Sequence, residues 1–169
     1  FGNEALVTVA AMFVLSAALT RTGAVERVGR TIVSLGGGSE PRILLALMLA
    51  CMGASAFINN TPIAVVFLPI VLGIAQRTGI AGSKLLIPMS YATIVGGMAT
   101  VIGTSTNVLV SARLPDHGIE PFPLFAPLPL ALTGAALTLL YMLLIGRRLL
   151  PSNTTVSSVA RSGKVADYL

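Results

Sequence analysis

Polar side chains that could bind an ion cluster inside long uncharged stretches of this 169-residue chain. The first cluster is Ser55-Ala-Phe-Ile-Asn-Asn-Thr-Pro62, and the segment around it, residues 43–76, contains no charged residue. Unpaired amides and hydroxyls are costly in an apolar environment. Pro62 also removes a backbone donor and disfavours helical dihedrals at the residue before it. The stretch therefore predicts a helix that breaks inside the membrane, facing protein or a watery cavity, where ions and solutes commonly bind.

A second cluster, Gly103-Thr-Ser-Thr-Asn107, lies in the uncharged stretch 85–112. It predicts a second helix break near the middle of the membrane, facing the first. An alternative is an intact helix whose Ser and Thr hydroxyls bond back to the preceding turn, or whose small residues form a packing face. Neither alternative explains a polar Asn side chain at position 107, so the break is favoured.

The chemistry available at the two breaks is that of neutral oxygen and amide groups. Hard cations prefer oxygen ligands, and carbonyls freed at helix ends suit a monovalent cation such as Na⁺. Helix N-termini that begin after each break present free N–H groups and a positive dipole end, which suits an anion. The apolar runs contain no Asp, Glu, His, Lys or Arg. We therefore expect neither an enzyme nor a proton relay within them, and no organic cofactor.

Composition predicts an integral membrane protein. Hydrophobic residues make up 54% of the chain and charged residues 10%, whereas a soluble domain has about 25% charged residues. The net charge of +5 comes from Lys and Arg at the ends of apolar runs, without interleaved aromatic residues. This pattern indicates orientation in a lipid bilayer rather than nucleic-acid binding. We expect a bacterial inner membrane with the basic loops on the cytoplasmic side.

The elements that must position the two breaks are predicted to be helical, so the fold class is an all-α integral membrane protein. We expect about three transmembrane helices, one re-entrant helical hairpin and one amphipathic helix at the membrane surface. The amphipathic helix runs from Val25 to Leu35, because Val25, Val28, Ile32 and Leu35 recur at helical spacing, with the charged residues largely opposite them.

Two apolar arms, 43–58 and 62–75, flank the first break, and each is shorter than the about 20 residues that a spanning helix needs. A re-entrant hairpin that enters and leaves on one side fits these lengths, as does a single Pro-kinked spanning helix. Re-entry is favoured because it places most of the basic residues on one face of the membrane. These residues are Arg21, Arg27, Arg30, Arg42, Arg77, Lys84, Arg147 and Arg148.

The chain begins without Met and is interpreted as a piece of a longer protein. Three regions are predicted. Residues 1–38 hold the end of a longer helix and the amphipathic helix. Residues 39–150 hold the hairpin 42–77, a broken helix 84–112 and a helix 124–148. Residues 151–169 are a cytoplasmic linker.

Both motifs resemble those of the divalent anion/sodium symporter family, which belongs with the arsenite permeases to one ion transporter superfamily. The resemblance covers roughly residues 1–150 and is carried by the segments Ser55–Pro69 and Gly103–Asn107. The family's Ser-Asn-Thr signature stands here as Asn59-Asn60-Thr61, and its Gly-Thr-x-x-Asn break matches Gly103 to Asn107.

The resemblance implies sodium-coupled symport of a dicarboxylate, sulfate or similar anion, an elevator-type movement, and a homodimer of the full-length protein. It also implies two inverted repeats, of which this chain is one half. Residues 1–38 would then end a scaffold helix, residues 39–150 would form half of a transport domain, and residues 151–169 would lead into a regulatory domain. It implies that the sodium ligands are Ser55, Asn59, Asn60 and the Gly103 carbonyl. It implies that the anion contacts are Asn60, Thr61, Thr104, Ser105 and Asn107.

Two other functions stay open at this point. One is proton-coupled export of an oxyanion, as in the arsenite-permease branch, which predicts an ionisable residue in the repeat that this chain does not contain. The other is a membrane module without transport activity, whose hairpin only packs against its neighbours.

Overall fold

The structure is a computed structural model that describes residues 14, 18 and 21–151. The described residues form helices and no strand, which confirms the all-helical expectation for this part of the chain. Most of the first apolar run, and the predicted linker from residue 152 onward, lie outside the described residues. The helices are α1 (Ala24–Gly36), α2 (Glu40–Ser55), α3 (Asn60–Thr78), α4 (Ser83–Gly97), α5 (Ser105–Arg113), a 3₁₀ helix (Leu114–His117), α6 (Leu128–Tyr141), a π-helical turn (Met142–Gly146) and α7 (Arg147–Leu149).

Within the part of the chain that the structure describes, two helical segments are long and apolar enough to cross a membrane: Asn60–Thr78 and Leu128–Leu149. The second is continuous from α6 through the π-helical turn to α7, and little of it is buried inside the described protein. The sequence predicted a shorter second hairpin arm, 62–75. The structure extends it to 19 residues because the polar residues at both ends are also helical.

Helices α2 and α4 form the centre of the packed core. A Cβ added at Gly96 would lie 2.5 Å from the Cα and carbonyl oxygen of Met52, so the two backbones approach closely at this point. Such an approach is typical of helix pairs in membranes, where small residues replace the hydrophobic effect as the source of tight packing. Leu47, Met48 and Cys51 are fully buried beside this crossing.

The two arms of the predicted hairpin return to the same short helix. A Cβ added at Gly36 would collide with Ile43 at the start of α2, and one added at Gly29 would lie 3.7 Å from Ile74 near the end of α3. Gly29 and Gly36 are about 10 Å apart along α1, whereas the arms are about 24 and about 28 Å long. The chain therefore turns back at residues 56–59, as the hairpin prediction requires.

Several basic residues lie at one end of the molecule. The Lys84 ammonium is 3.7 Å from the Glu40 carboxylate, which links the starts of α4 and α2. Ser83 Oγ donates to the carbonyl oxygen of Pro151 at 2.5 Å, which brings the end of α7 to the same place. This clustering agrees with the charge asymmetry in the sequence. The side of the membrane that this end faces stays a prediction.

Helix α1 confirms the predicted position of the amphipathic helix, but its packed face differs from the predicted one. Gly29, Ile32 and Gly36 are buried against α2 and α3. Leu35 is 70% exposed and Val28 is 39% exposed, and the side chain of Val25 is outside those that the structure describes. The two glycines explain the difference, because any side chain at Gly36 would collide with Ile43, and a Cβ at Gly29 would already be in van der Waals contact with Ile74. Val28 and Leu35 remain available for the predicted membrane surface.

Candidate functional site

The first break lies between α2, which ends at Ser55, and α3, which begins at Asn60. Asn59 is the N-cap of α3, and its Oδ1 accepts a hydrogen bond of 2.8 Å from the Asn60 N–H. Pro62 is the third residue of α3, where its missing N–H costs little because first-turn N–H groups have no intrahelical partner. The sequence prediction centred the break on the Asn-Asn-Thr-Pro run. The structure places it just before Asn60.

The second break occupies residues 98–104, between α4 and α5. Thr104 is the N-cap of α5, and its Oγ1 accepts a hydrogen bond of 3.4 Å from the Thr106 N–H. The sequence predicted the break at residues 103–107, whereas the structure places it several residues closer to the N-terminus. Helix α4 already ends at the pair Gly96-Gly97, and residues 105–107 form the first turn of α5.

The two breaks are in direct contact. The Asn59 Nδ2 donates a hydrogen bond of 2.9 Å to the Ser105 Oγ, which joins the N-terminal ends of α3 and α5. On the buried side, the Thr100 hydroxyl donates to the carbonyl oxygen of Ala56. The prediction that the breaks face each other is therefore confirmed by the geometry.

Ser55 is fully buried at the end of α2, and its hydroxyl has two oxygen neighbours. Its Oγ lies 2.7 Å from the Thr93 carbonyl oxygen and 2.8 Å from the Asn60 Oδ1. One hydroxyl proton serves one acceptor at full strength. When Ser55 donates to Thr93, the Ser55 and Asn60 oxygens face each other without a proton between them. A cation coordinated by both oxygens would stabilise this pair. Without a cation, rotating the Asn60 amide by half a turn lets its NH₂ group donate to Ser55.

Backbone carbonyl oxygens converge around two buried glycines. A Cβ added at Gly103 would lie 2.5 Å from the Gly97 oxygen, 2.9 Å from the Ala56 oxygen and 3.0 Å from the Ser55 oxygen. A Cβ added at Gly97 would collide with the Asn60 side-chain oxygen and lie 3.0 Å from the Gly103 oxygen. These carbonyls belong to the ends of α2 and α4 and to the second break, where helices leave carbonyls without intrahelical partners. We call these four carbonyls and the Asn60 side chain the oxygen cluster.

The predicted cation ligands are distributed over two places. Ser55, Asn60 and Gly103 belong to the oxygen cluster or border it directly. Asn59 lies on the exposed side, where its amide nitrogen is bonded to Ser105 and its oxygen caps α3. Neutral oxygen atoms at this density suit a hard monovalent cation.

The predicted anion contacts lie mainly at helix N-termini. Thr61 is exposed in the first turn of α3, Ser105 is exposed in the first turn of α5, and Thr104 is half-buried at the cap of α5. The Asn107 Nδ2 instead donates a hydrogen bond of 3.0 Å to the Thr100 carbonyl oxygen, so one of its two amide N–H groups holds the second break.

Sequence reasoning missed three contributors to the site: Gly97, Thr100 and the carbonyl of Ala56. Gly97 had a signal, because the Gly-Gly pair interrupts an apolar run, but that signal did not place it beside Asn60. Thr100 and Ala56 had none. Their contribution depends on which backbone segments meet, and this is invisible in a linear pattern.

A helical chain in which two broken helices meet at an uncharged, oxygen-lined junction has the architecture of an integral membrane transport protein. Residues 1–164 match the family described as citrate transporter, CitMHS, and the chain belongs to that family. No solved structure matches the chain.

Three curated relatives are similar to this chain. An uncharacterized transporter of Synechocystis is 42% identical over the whole chain, which covers 28% of that relative. A probable sodium/sulfate cotransporter of Chlamydomonas reinhardtii is 34% identical over 92% of the chain, covering 18% of the relative. A sodium-dependent dicarboxylate transporter of Staphylococcus aureus is 29% identical over 69% of the chain, covering 25%. The chain spans about a quarter of the length of these relatives, and the resemblance to divalent anion/sodium symporters is confirmed.

Proposed function

We propose that the full-length protein is a secondary active transporter that couples the movement of Na⁺ to symport of a divalent or other small anion, such as a dicarboxylate or sulfate. The names of the sodium/sulfate and sodium-dependent dicarboxylate relatives support this proposal. The observation that carries it is the way four helix ends meet. The C-terminal ends of α2 and α4 and the N-terminal ends of α3 and α5 come together at the two breaks.

The C-terminal ends supply the cation half of the site. A helix C-terminus carries partial negative charge and unpaired carbonyls, which favour a cation. In our proposal the ion binds at the oxygen cluster, which includes the Asn60 side-chain oxygen, with the Ser55 hydroxyl as a further ligand. Asn59 contributes from the exposed side, where it joins the starts of α3 and α5.

The N-terminal ends supply the anion half. The first turns of α3 and α5 present N–H groups and the positive ends of two helix dipoles. Their side chains add hydroxyl and amide donors that suit a carboxylate or a sulfate equally. The proposed contacts are Asn60, Thr61, Thr104, Ser105 and Asn107.

Asn60 belongs to both halves, and this suggests how the two solutes are coupled. A cation held between Ser55 and Asn60 fixes the Asn60 oxygen towards itself, which turns the amide NH₂ group away from Ser55. The bound positive charge also lowers the cost of bringing an anion into the same apolar surroundings. Occupancy of the cation half therefore prepares the anion half. We further propose that the loaded site crosses the membrane by an elevator-type movement in a homodimer.

Sodium-gradient uptake by the full-length protein in liposomes tests this function. We expect uptake of radiolabelled sulfate or dicarboxylate with an inward Na⁺ gradient and little uptake when K⁺ replaces Na⁺. Asn60→Ala should abolish both the uptake and the rise in melting temperature that Na⁺ causes. Gln76→Ala is the matched control, because this amide is exposed on the same helix near its opposite end. Uptake that is independent of Na⁺ and driven by a proton gradient would contradict the proposal.

A further inference from the structure

Thr100 joins the two breaks from the buried side, and its side chain is only 1% exposed. Its hydroxyl donates to the Ala56 carbonyl oxygen and accepts a hydrogen bond of 3.0 Å from the Gly103 N–H. Its own carbonyl oxygen accepts the Asn107 side-chain amide at 3.0 Å. One residue thus connects the first break, the second break and the first turn of α5.

We infer that Thr100 is a positioning residue for the cation, an inference that rests on the proposed function. Both groups bonded to its hydroxyl are backbone groups of residues in the oxygen cluster, Ala56 and Gly103. The hydroxyl uses its single proton for one and a lone pair for the other, so it sets the separation between the two segments. Residues that orient the ligands of an ion without touching it commonly affect its affinity strongly.

The side-chain hydrogen bonds of Thr100, which lies in the second break, differ from those of threonines inside the described helices. The hydroxyls of Thr78, Thr93 and Thr133 donate to carbonyls three or four residues earlier in their own helices. The Thr100 hydroxyl instead reaches a carbonyl 44 residues away. A bond within one helix leaves the relative position of two segments unchanged, whereas this bond determines it.

The test replaces Thr100 in the full-length transporter and measures anion uptake as a function of Na⁺ concentration. Thr100→Val keeps the shape but removes the hydroxyl, and we expect the half-saturating Na⁺ concentration to rise about tenfold or more. The anion KM at saturating Na⁺ and the amount of protein in the membrane should change little. Thr100→Ser keeps the hydroxyl and should restore the Na⁺ response to within about threefold, since donor and acceptor are both retained.

Thr78→Val is the matched control. The Thr78 hydroxyl also donates to a carbonyl, that of Ile74, and accepts an N–H, that of Ile80, but it lies at the far end of α3. We expect Thr78→Val to have the same half-saturating Na⁺ concentration as the wild type. If Thr100→Val does not reach the membrane, Thr100→Cys carries the test, because a thiol is a weak donor and acceptor and should raise the half-saturating Na⁺ concentration partway.

The outcomes separate this inference from the function on which it rests. A Na⁺-dependent wild type with an unchanged Na⁺ response in Thr100→Val, or in Thr100→Cys when it is the variant tested, overturns the positioning role alone. If the half-saturating Na⁺ concentration and the anion KM rose by the same factor, Thr100 would have a general structural role, and the positioning role would also be overturned. A wild type whose uptake does not depend on Na⁺ overturns the proposed function and this inference together.

Discussion

The Asn59 amide donates a hydrogen bond to the Ser105 hydroxyl at 2.9 Å, although the two residues are 46 positions apart in the sequence. Each residue stands at the N-terminal end of a helix that begins after a break. The bond therefore aligns two positive helix ends side by side, on the exposed side of the junction. On the opposite side, carbonyl oxygens from two helix C-termini meet at Gly103. This arrangement gives the junction one positive and one negative pole, the basis for the anion and cation halves that we propose.

The contact between Asn59 and Ser105 predicts that these residues act as a pair. In a double-mutant cycle with Asn59→Ala and Ser105→Ala, we expect the effects on the anion KM to be non-additive by about 0.5–1.5 kcal/mol, the net worth of one hydrogen bond. Combining Asn59→Ala with Thr133→Ala, whose hydroxyl bonds only within α6, should give additive effects. Additive effects for the first pair would show that the bond does not form in the working protein.

Ser55→Ala should weaken the response to Na⁺. The substitution removes an oxygen beside Asn60, together with the hydroxyl that donates to the Thr93 carbonyl. We expect the half-saturating Na⁺ concentration for uptake to rise about tenfold or more. Ser111→Ala is the control, because Ser111 is also buried and its hydroxyl accepts a hydrogen bond of 3.0 Å from the Phe122 N–H. That variant should lower the melting temperature and leave the Na⁺ response unchanged.

Gly103→Ala should disrupt the oxygen cluster. The added Cβ would lie within 3.0 Å of three backbone carbonyl oxygens, and backbone atoms cannot move aside as a flexible side chain can. We expect a loss of stability of about 1–3 kcal/mol, as for other overpacked positions, together with loss of Na⁺-dependent uptake. Gly53→Ala on α2 is the control, since a Cβ there meets no atom within 4 Å. Normal Na⁺-dependent uptake by Gly103→Ala would rule out the cluster as the cation site.

Cysteine labelling tests whether the hairpin re-enters the membrane. In a Cys51→Ser background, Ser39→Cys lies just before α2 and Gln76→Cys lies near the end of α3. Because both arms return to α1, we expect a membrane-impermeant thiol reagent to label both cysteines from the same side. Asp116→Cys, exposed in the 3₁₀ helix, should be labelled from the other side. Labelling of Ser39→Cys and Gln76→Cys from opposite sides would show that the segment from α2 to α3 spans the membrane.

Much of the architecture could be predicted from hydrophobicity and helix-breaking residues. Apolar runs without charge indicate helices in a membrane, and Asn, Thr and Gly grouped inside such runs indicate where those helices stop. Both signals are local, because they depend on the solvation of a side chain or the dihedrals of a few residues. The break boundaries were less accurate. The Gly96-Gly97 pair ends α4, and the helix resumes at Ser105 within the cluster that was predicted to be irregular.

The sequence by itself determined that this chain is helical, lies in a membrane and carries two polar interruptions made of neutral oxygen and amide groups. Only the tertiary structure decided that the carbonyls of Ala56 and Gly97 converge on Gly103, that Thr100 holds the two segments together, and that α1 packs through its glycines. The physical reason is that every residue has a backbone carbonyl, so residue type does not show which carbonyls form the site. Which of them become ligands depends on where helix ends meet, and packing between distant segments sets that.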